Sequence, residues 1–198
     1  KELQANIDSF IGDKIYLNLL IFFIFAVVWV ALLGFGSPLL LISGILFGKW
    51  VGTFISVISI SFGALLLYTI VSFFFTDLIN KLLEKKFSKY INLFQKNEFY
   101  YYFIFRLTGG LGLPFCLQNA LPVIFKMKKI NYFFSSFLGF IPGVFIFNTV
   151  GAGINQFIKE SNNFSLIDLI LSKEIYVPIS MFIIFILFVL RIMLTCKT

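Results

Sequence analysis

The chain has 198 residues, 60% of them hydrophobic, and its mean hydropathy is +0.99. Soluble globular domains are about 45–50% apolar, so this composition excludes a water-soluble fold and gives an all-α polytopic integral membrane protein. The net charge is +7, there is no histidine, and there are only two cysteines; the commonest general base, the commonest metal ligand and a disulfide framework are therefore missing, and neither a cofactor nor a metal is expected.

In chain order, the first 14 residues are polar and mixed in charge, and no signal peptide is expected. Residues 15–33 form the first predicted spanning helix, since a bilayer core takes about 20 apolar residues. The sequence GFGSP (34–38) ends it: Gly34 and Gly36 lower helix propensity, and Pro38 disfavours the α conformation at Ser37. Residues 39–47 are apolar but only about 14 Å long as a helix, too short to cross. With Gly44, Gly48, Lys49 and the aromatic anchor Trp50, the segment 34–50 reads as a re-entrant hairpin. Residues 51–76 are long enough for a second span. Residues 77–98 place Leu78, Leu82, Phe87 and Ile91 among lysines at roughly helical spacing, which predicts an amphipathic helix on the membrane surface. Residues 99–129 are apolar except for Arg106, broken by GGLGLP and closed by Lys126, Lys128 and Lys129, and read as a second re-entrant hairpin. Residues 130–158 cross again, 159–174 form a polar loop and 175–191 a last span, about four spanning helices in one membrane domain.

Lysine and arginine collect on the cytoplasmic side of membrane proteins. If 99–129 dips and returns, only Lys49, Lys159 and Lys173 of the sixteen cationic residues lie on the far side. A full crossing there would export the Lys126–Lys129 cluster. The charge pattern therefore favours the dip and puts both termini in the cytoplasm.

The sequence also repeats. At an offset of 76 residues Gly34 falls on Gly110, Gly36 on Gly112, Pro38 on Pro114 and Gly63 on Gly139. By the topology above, the two hairpins open from opposite sides, an inverted repeat with two facing hairpins. Paired, interrupted apolar segments of this kind point to a transport-type binding site, and broken backbone at membrane depth must be buried in protein or line a wet cavity.

Four stretches carry a family resemblance: SGILFGKWVG (43–52), FIFRLTGGLGLPFCLQN (103–119), FSSFLGFIPG (134–143) and VGAGI (150–154). Over roughly 35–160 the chain resembles the DedA / SNARE-associated Golgi protein superfamily, the VTT-domain proteins, and looks closest to the branch related to the yeast late-Golgi vesicle protein. The most specific elements are Arg106, then Pro114-Phe115, then Asn119, and later Gly139 to Gly143. The resemblance implies two facing re-entrant hairpins, a bacterial inner (plasma) membrane location and lipid movement, of polyprenyl phosphate or phospholipid. Two features depart from it: Leu121-Pro122 follow Asn119 where a glycine is usual, and no acidic residue lies between Asp13 and Asp77. The second counts against proton coupling through a hairpin carboxylate.

Arg106 is the strongest single signal, because an arginine in an apolar segment costs several kcal/mol on insertion scales and faces a cavity or partner by default. Two readings stand open for it: snorkelling to headgroups, or bidentate recognition of a lipid phosphate. Asn119 serves either the freed hairpin backbone or the substrate path, and Lys49 is a candidate headgroup contact. Gly34, Gly36, Pro38, Gly44, Gly48, Gly109, Gly110, Gly112, Pro114 and Phe115 read as hairpin scaffold, and Gly139, Pro142 and Gly143 as devices for a kink or close packing. The function expected is a lipid translocase, flippase or scramblase, with membrane lipids as partners, no nucleic acid, and a possible homo-oligomer. A small-solute or ion carrier and a membrane assembly or trafficking factor are the alternatives. An enzyme is not expected, for want of an acid–base pair.

Overall fold

A computed structural model describes residues 14–33, 36–160 and 172–195; the side chains of 75–93 and of several residues elsewhere, Leu111, Cys116 and Phe182 among them, lie outside the description, as do Gly34 and the greater part of the predicted 159–174 loop. Among the described residues six α-helices follow in order: α1 (Ile15–Leu33), α2 (Ser37–Lys96), α3 (Glu98–Leu107), α4 (Phe115–Ile124), α5 (Lys129–Glu160) and α6 (Lys173–Thr195), with a 3-10 turn at Gly109–Gly112 between α3 and α4. An all-helical chain is what lipid demands, since a helix satisfies its own backbone groups. Among the described residues, three segments are long and apolar enough to cross a membrane: Ile15–Leu32, Ser37–Phe74 and Lys129–Ile158.

Helix α1 has the bounds the apolar run predicts. Helix α2 begins with Pro38 in its first turn, where a missing N–H is harmless. It is not straight. At Gly48 the backbone takes φ 74° and ψ 177°, a region open essentially to glycine alone. Beyond this point the chain folds back: the Ser43 hydroxyl donates to the Gly52 carbonyl at 3.0 Å, whereas residues nine apart in a straight helix are separated by about 13.5 Å along the axis. The short limb 37–47 and the limb from 49 onward therefore form a helical hairpin. The second limb continues as helix to Lys96. The backbone is thus a single helix where the composition suggested a span and then a separate surface helix at 77–98; the amphipathic face predicted there falls on side chains outside the described residues.

The described residues divide into two packed units, one of 14–25, 37–56, 143–160 and 172–195, the other of 26–33, 36 and 57–142. In the first unit, the limbs of the 37–56 hairpin meet the 143–155 part of α5 through glycine. A Cβ on Gly44 would strike the Asn148 backbone, and one on Gly151 would lie 3.1 Å from the Gly44 Cα. A Cβ on Gly52 would lie 2.5 Å from Asn148 Oδ1 and 2.8 Å from the Ser43 carbonyl oxygen. Asn148 is fully buried and its Oδ1 has no N–H or O–H donor; the Gly52 Cα–H is aimed at it, a weak C–H···O contact. Asn155 Nδ2 donates to the Ile45 carbonyl at 3.0 Å. That carbonyl lies three residues before the break at Gly48, where an interrupted helix leaves acceptors without partners.

In the second unit, α3 and α4 fold against each other as a hairpin. The Tyr102 hydroxyl donates to the Gln118 carbonyl at 2.7 Å. The base of this hairpin is closed: the buried Glu98 carboxylate accepts the backbone N–H of Lys128 at 3.3 Å and the side-chain amide of Asn131. The chain thus returns at Lys128 to the place it left at Glu98. Ala64, Tyr68, Tyr102, Val123, Met127 and Tyr132 form the core under it, and the Tyr68 hydroxyl donates to the Met127 carbonyl at 2.8 Å.

The 76-residue offset reappears as a repeated contact in this unit. A Cβ on Gly63 would lie 2.7 Å from the Val30 Cβ and 3.0 Å from the Val27 carbonyl oxygen; a Cβ on Gly139 would lie 2.5 Å from the Arg106 Cβ and 3.3 Å from the Phe103 carbonyl oxygen. Residues 27, 30 and 63 map onto 103, 106 and 139 at that offset. Gly143, by contrast, has open space where a Cβ would be. The expectation of close packing holds at Gly139 and not at Gly143, because only the former faces a neighbouring helix. Pro142 lies inside α5, which continues through it.

Candidate functional site

Helix α3 carries Arg106 in its last turn, where a cation sits well against the helix dipole. Gly139 lets α5 press onto the first carbons of the arginine, so the side chain is driven into the hairpin rather than along its surface. Arg106 is 3% exposed.

Its guanidinium ties the two limbs together. Nη1 donates to Gln118 Oε1 at 2.9 Å, and Nη2 donates to Asn119 Oδ1 and, at 3.3 Å, to the Tyr132 hydroxyl oxygen. The Tyr132 hydroxyl lies 2.7 Å from Asn119 Oδ1 and 3.1 Å from the Ala64 carbonyl oxygen, so its single proton serves one of them. Asn119 Nδ2 donates to the Phe115 carbonyl at 2.8 Å, and Gln118 Nε2 to the carbonyls of Gly109 and Leu113. The Leu113 carbonyl, which lies between the 3-10 turn and α4, thereby gains a donor that neither helix supplies. Four rings surround the cation: its central carbon lies 4.9 Å from the Tyr102 ring centroid, 5.3 Å from Phe115, 5.9 Å from Tyr132 and 4.7 Å from Phe140. Cation–π attraction contributes about 2 kcal/mol when the pair is desolvated.

Two features are left over. Arg106 Nε is buried with no hydrogen-bond partner. No carboxylate balances the charge among the described residues: Glu98 is the one acidic side chain described, and it is engaged at the hairpin base. A buried charge is ordinarily paired, and this guanidinium keeps a donor to spare and has no anion among the described residues.

The structure brings together two of the three predicted contact residues, Arg106 and Asn119. Lys49 is exposed beside the Gly48 bend, in the other unit, and its carbonyl accepts the Thr53 hydroxyl. Of the scaffold residues, Gly109, Gly110 and Gly112 all take positive φ, Pro114 caps α4, and Phe115 packs on both Arg106 and Phe140. At Gly110 the requirement is double, since a Cβ would also collide with the Gln118 amide. Gly36 faces Ile60, where a Cβ would meet its side chain at 3.3 Å. Sequence reasoning missed Tyr102, Gln118 and Tyr132. Gln118 carried a signal, a second amide beside Asn119 in an apolar run; the tyrosines were masked by the abundance of aromatic residues. Among the described residues no group of acidic, cysteine or histidine side chains could hold a metal.

Searches of curated proteins and of solved structures each found no match. The family model for the VTT domain matches residues 20–153, a stretch that contains both hairpins and both glycine-mediated crossings. The chain therefore belongs to the VTT-domain family of membrane proteins, the DedA / SNARE-associated Golgi group.

Proposed function

We propose that this DedA-type membrane protein is a lipid translocase that moves a phosphate-bearing lipid, a phospholipid or a polyprenyl phosphate, between leaflets. The observation that carries the reading is the buried, unbalanced Arg106 guanidinium with its unpartnered Nε, held inside a helical hairpin. A phosphate supplies what this site lacks: a counter-charge, and oxygens that accept two parallel N–H bonds. Gln118 and Asn119 hold the guanidinium in orientation and release it to the headgroup when the hairpin limbs part. In this reading both hairpins are re-entrant and enter the membrane from opposite faces, the termini are cytoplasmic, and the membrane is the bacterial inner membrane. Lys49 contacts headgroups on the far side.

Reconstitution in liposomes tests the reading. Labelled phospholipids and polyprenyl phosphates should exchange between leaflets faster with the protein than in empty vesicles, and Arg106→Gln should abolish the gain while inserting normally. Wild-type rates equal to empty vesicles for every lipid tried would refute translocation. Unchanged transport in Arg106→Gln would refute the role of the arginine and leave it as a structural tie.

A further inference from the structure

A cavity of about 580 Å³ opens at the base of the α3–α4 hairpin, lined among others by Lys96, Asn97, Glu98, Tyr100, Lys126 and Lys128. It lies where α2 ends, α3 begins and the turn after α4 leads into α5. The α5 candidate span starts at Lys129, and Tyr100 and Tyr101 stand exposed beside the lysines. Lysine with tyrosine at the end of an apolar segment is the composition of the headgroup layer.

Three lysines and one carboxylate line the cavity, and the carboxylate is already employed. Glu98 is 6% exposed, and its oxygens accept the Lys128 backbone N–H and the Asn131 amide. Among the described residues, neither Lys96 nor Lys128 has an ion-pair partner. Helix α3 also starts here without a side-chain cap from Asn97 and carries Glu98 in its first turn. The volume falls within the range of small-ligand sites, about 300–1,000 Å³, and exceeds what a bare phosphate fills. Arg106 lies eight residues further along α3, about 12 Å by helix rise.

We propose that this cavity is a second anion site, which binds the phosphate monoester and glycerol of an anionic lipid headgroup at the membrane surface. The ammonium groups of Lys96 and Lys128 contact the phosphate, and Tyr100 borders the glycerol. The site does not depend on the transport reading, because it binds lipid whether or not the protein moves it.

The test uses the full chain in dodecyl maltoside with dioctanoyl phosphatidic acid as the probe, dioctanoyl phosphatidylcholine as the zwitterionic control, and glycerol 3-phosphate and inorganic phosphate as the free-anion arms. Lys96→Gln/Lys128→Gln should weaken phosphatidic acid binding by at least about tenfold, given about 1 kcal/mol per lysine near an anionic surface. The Glu98 bond survives this change, because Lys128 supplies it from the backbone. Lys96→Arg/Lys128→Arg should keep binding within about threefold of wild type. Lys14→Gln/Lys173→Gln, which removes the same charge elsewhere, should behave as wild type. Equal weakening in both glutamine pairs would reduce the effect to net charge and overturn the site. So would unchanged binding in Lys96→Gln/Lys128→Gln. Inorganic phosphate binding as tightly as phosphatidic acid would overturn the lipid assignment in favour of a free-anion site.

Discussion

Replacing Arg106 by alanine should destabilise the protein by about 3 kcal/mol, and the structure says where that figure comes from. Asn119 Oδ1 keeps a partner after the change, because the Tyr132 hydroxyl lies 2.7 Å away. Gln118 Oε1 loses its donor, and a buried acceptor left unpaired costs about 1–3 kcal/mol. The four ring contacts take a further ~2 kcal/mol with them. Against this stands the relief of a buried charge that no carboxylate among the described residues balances, which reduces the total. For a chain of this size ~3 kcal/mol corresponds to a fall in Tm on the order of 10 °C. Thermal unfolding of the purified protein in detergent reads it directly. Arg106→Lys should recover only part of the loss, since an ammonium is a single point of charge and cannot span Gln118, Asn119 and Tyr132 as a planar fork does. A melting temperature for Arg106→Ala within about 2 °C of wild type would show that the guanidinium does not hold the hairpin. A lysine variant equal to wild type would show that charge, not geometry, is what matters there.

Gly139→Ala should cost about 1–3 kcal/mol through overpacking, because its Cβ would lie 2.5 Å from that of Arg106; Gly143→Ala, with open space around it, should be neutral or stabilising by up to about 1 kcal/mol, and the two unfolding curves side by side check the difference. Gly48→Ala should lose about 1–3 kcal/mol at φ 74° and ψ 177°, read as a drop in melting temperature with helical content unchanged. Single cysteines at 96 and 128 should label from the same side of a sealed vesicle, as the Glu98 clasp requires; labelling from opposite sides would mean a crossing.

The sequence made the outer frame legible and the inner partners obscure. Helix α1 emerged to the residue because an unbroken apolar run and GFGSP bound it on both sides. The break near Gly48 and the interruption between Arg106 and Pro114 followed from length and from glycine and proline placement, which are properties of segments. Partners are properties of faces, and here the faces were hidden. With 29 phenylalanines and eight tyrosines, nothing in the spacing sets Tyr102 and Tyr132 apart from neighbours that face outward. Glu98 read as the last charge of an amphipathic surface helix, although it lies buried and clasps the start of α5. The change from apolar to lysine-rich sequence after Thr76 looked like a joint, yet both compositions share helical spacing and the backbone runs through. Gly139 and Gly143 are indistinguishable in sequence; only the helix against which one of them lies tells them apart. Asn148 was one of four amide side chains in the third span, and its place against Gly44 and Gly52 was visible only once the first hairpin had closed.

The Val30–Gly63 crossing has one more consequence. It is the same joint as Arg106–Gly139, built in the same fold with an apolar side chain in place of the charged one. The molecule therefore contains its own blank. Whatever Gly139→Ala does beyond what Gly63→Ala does belongs to the arginine and its surroundings rather than to helix contact as such, with membrane, expression and assay held common by being one chain. A duplicated joint also leaves one copy free to specialise while its twin keeps the frame, and the charge has entered only one of the two.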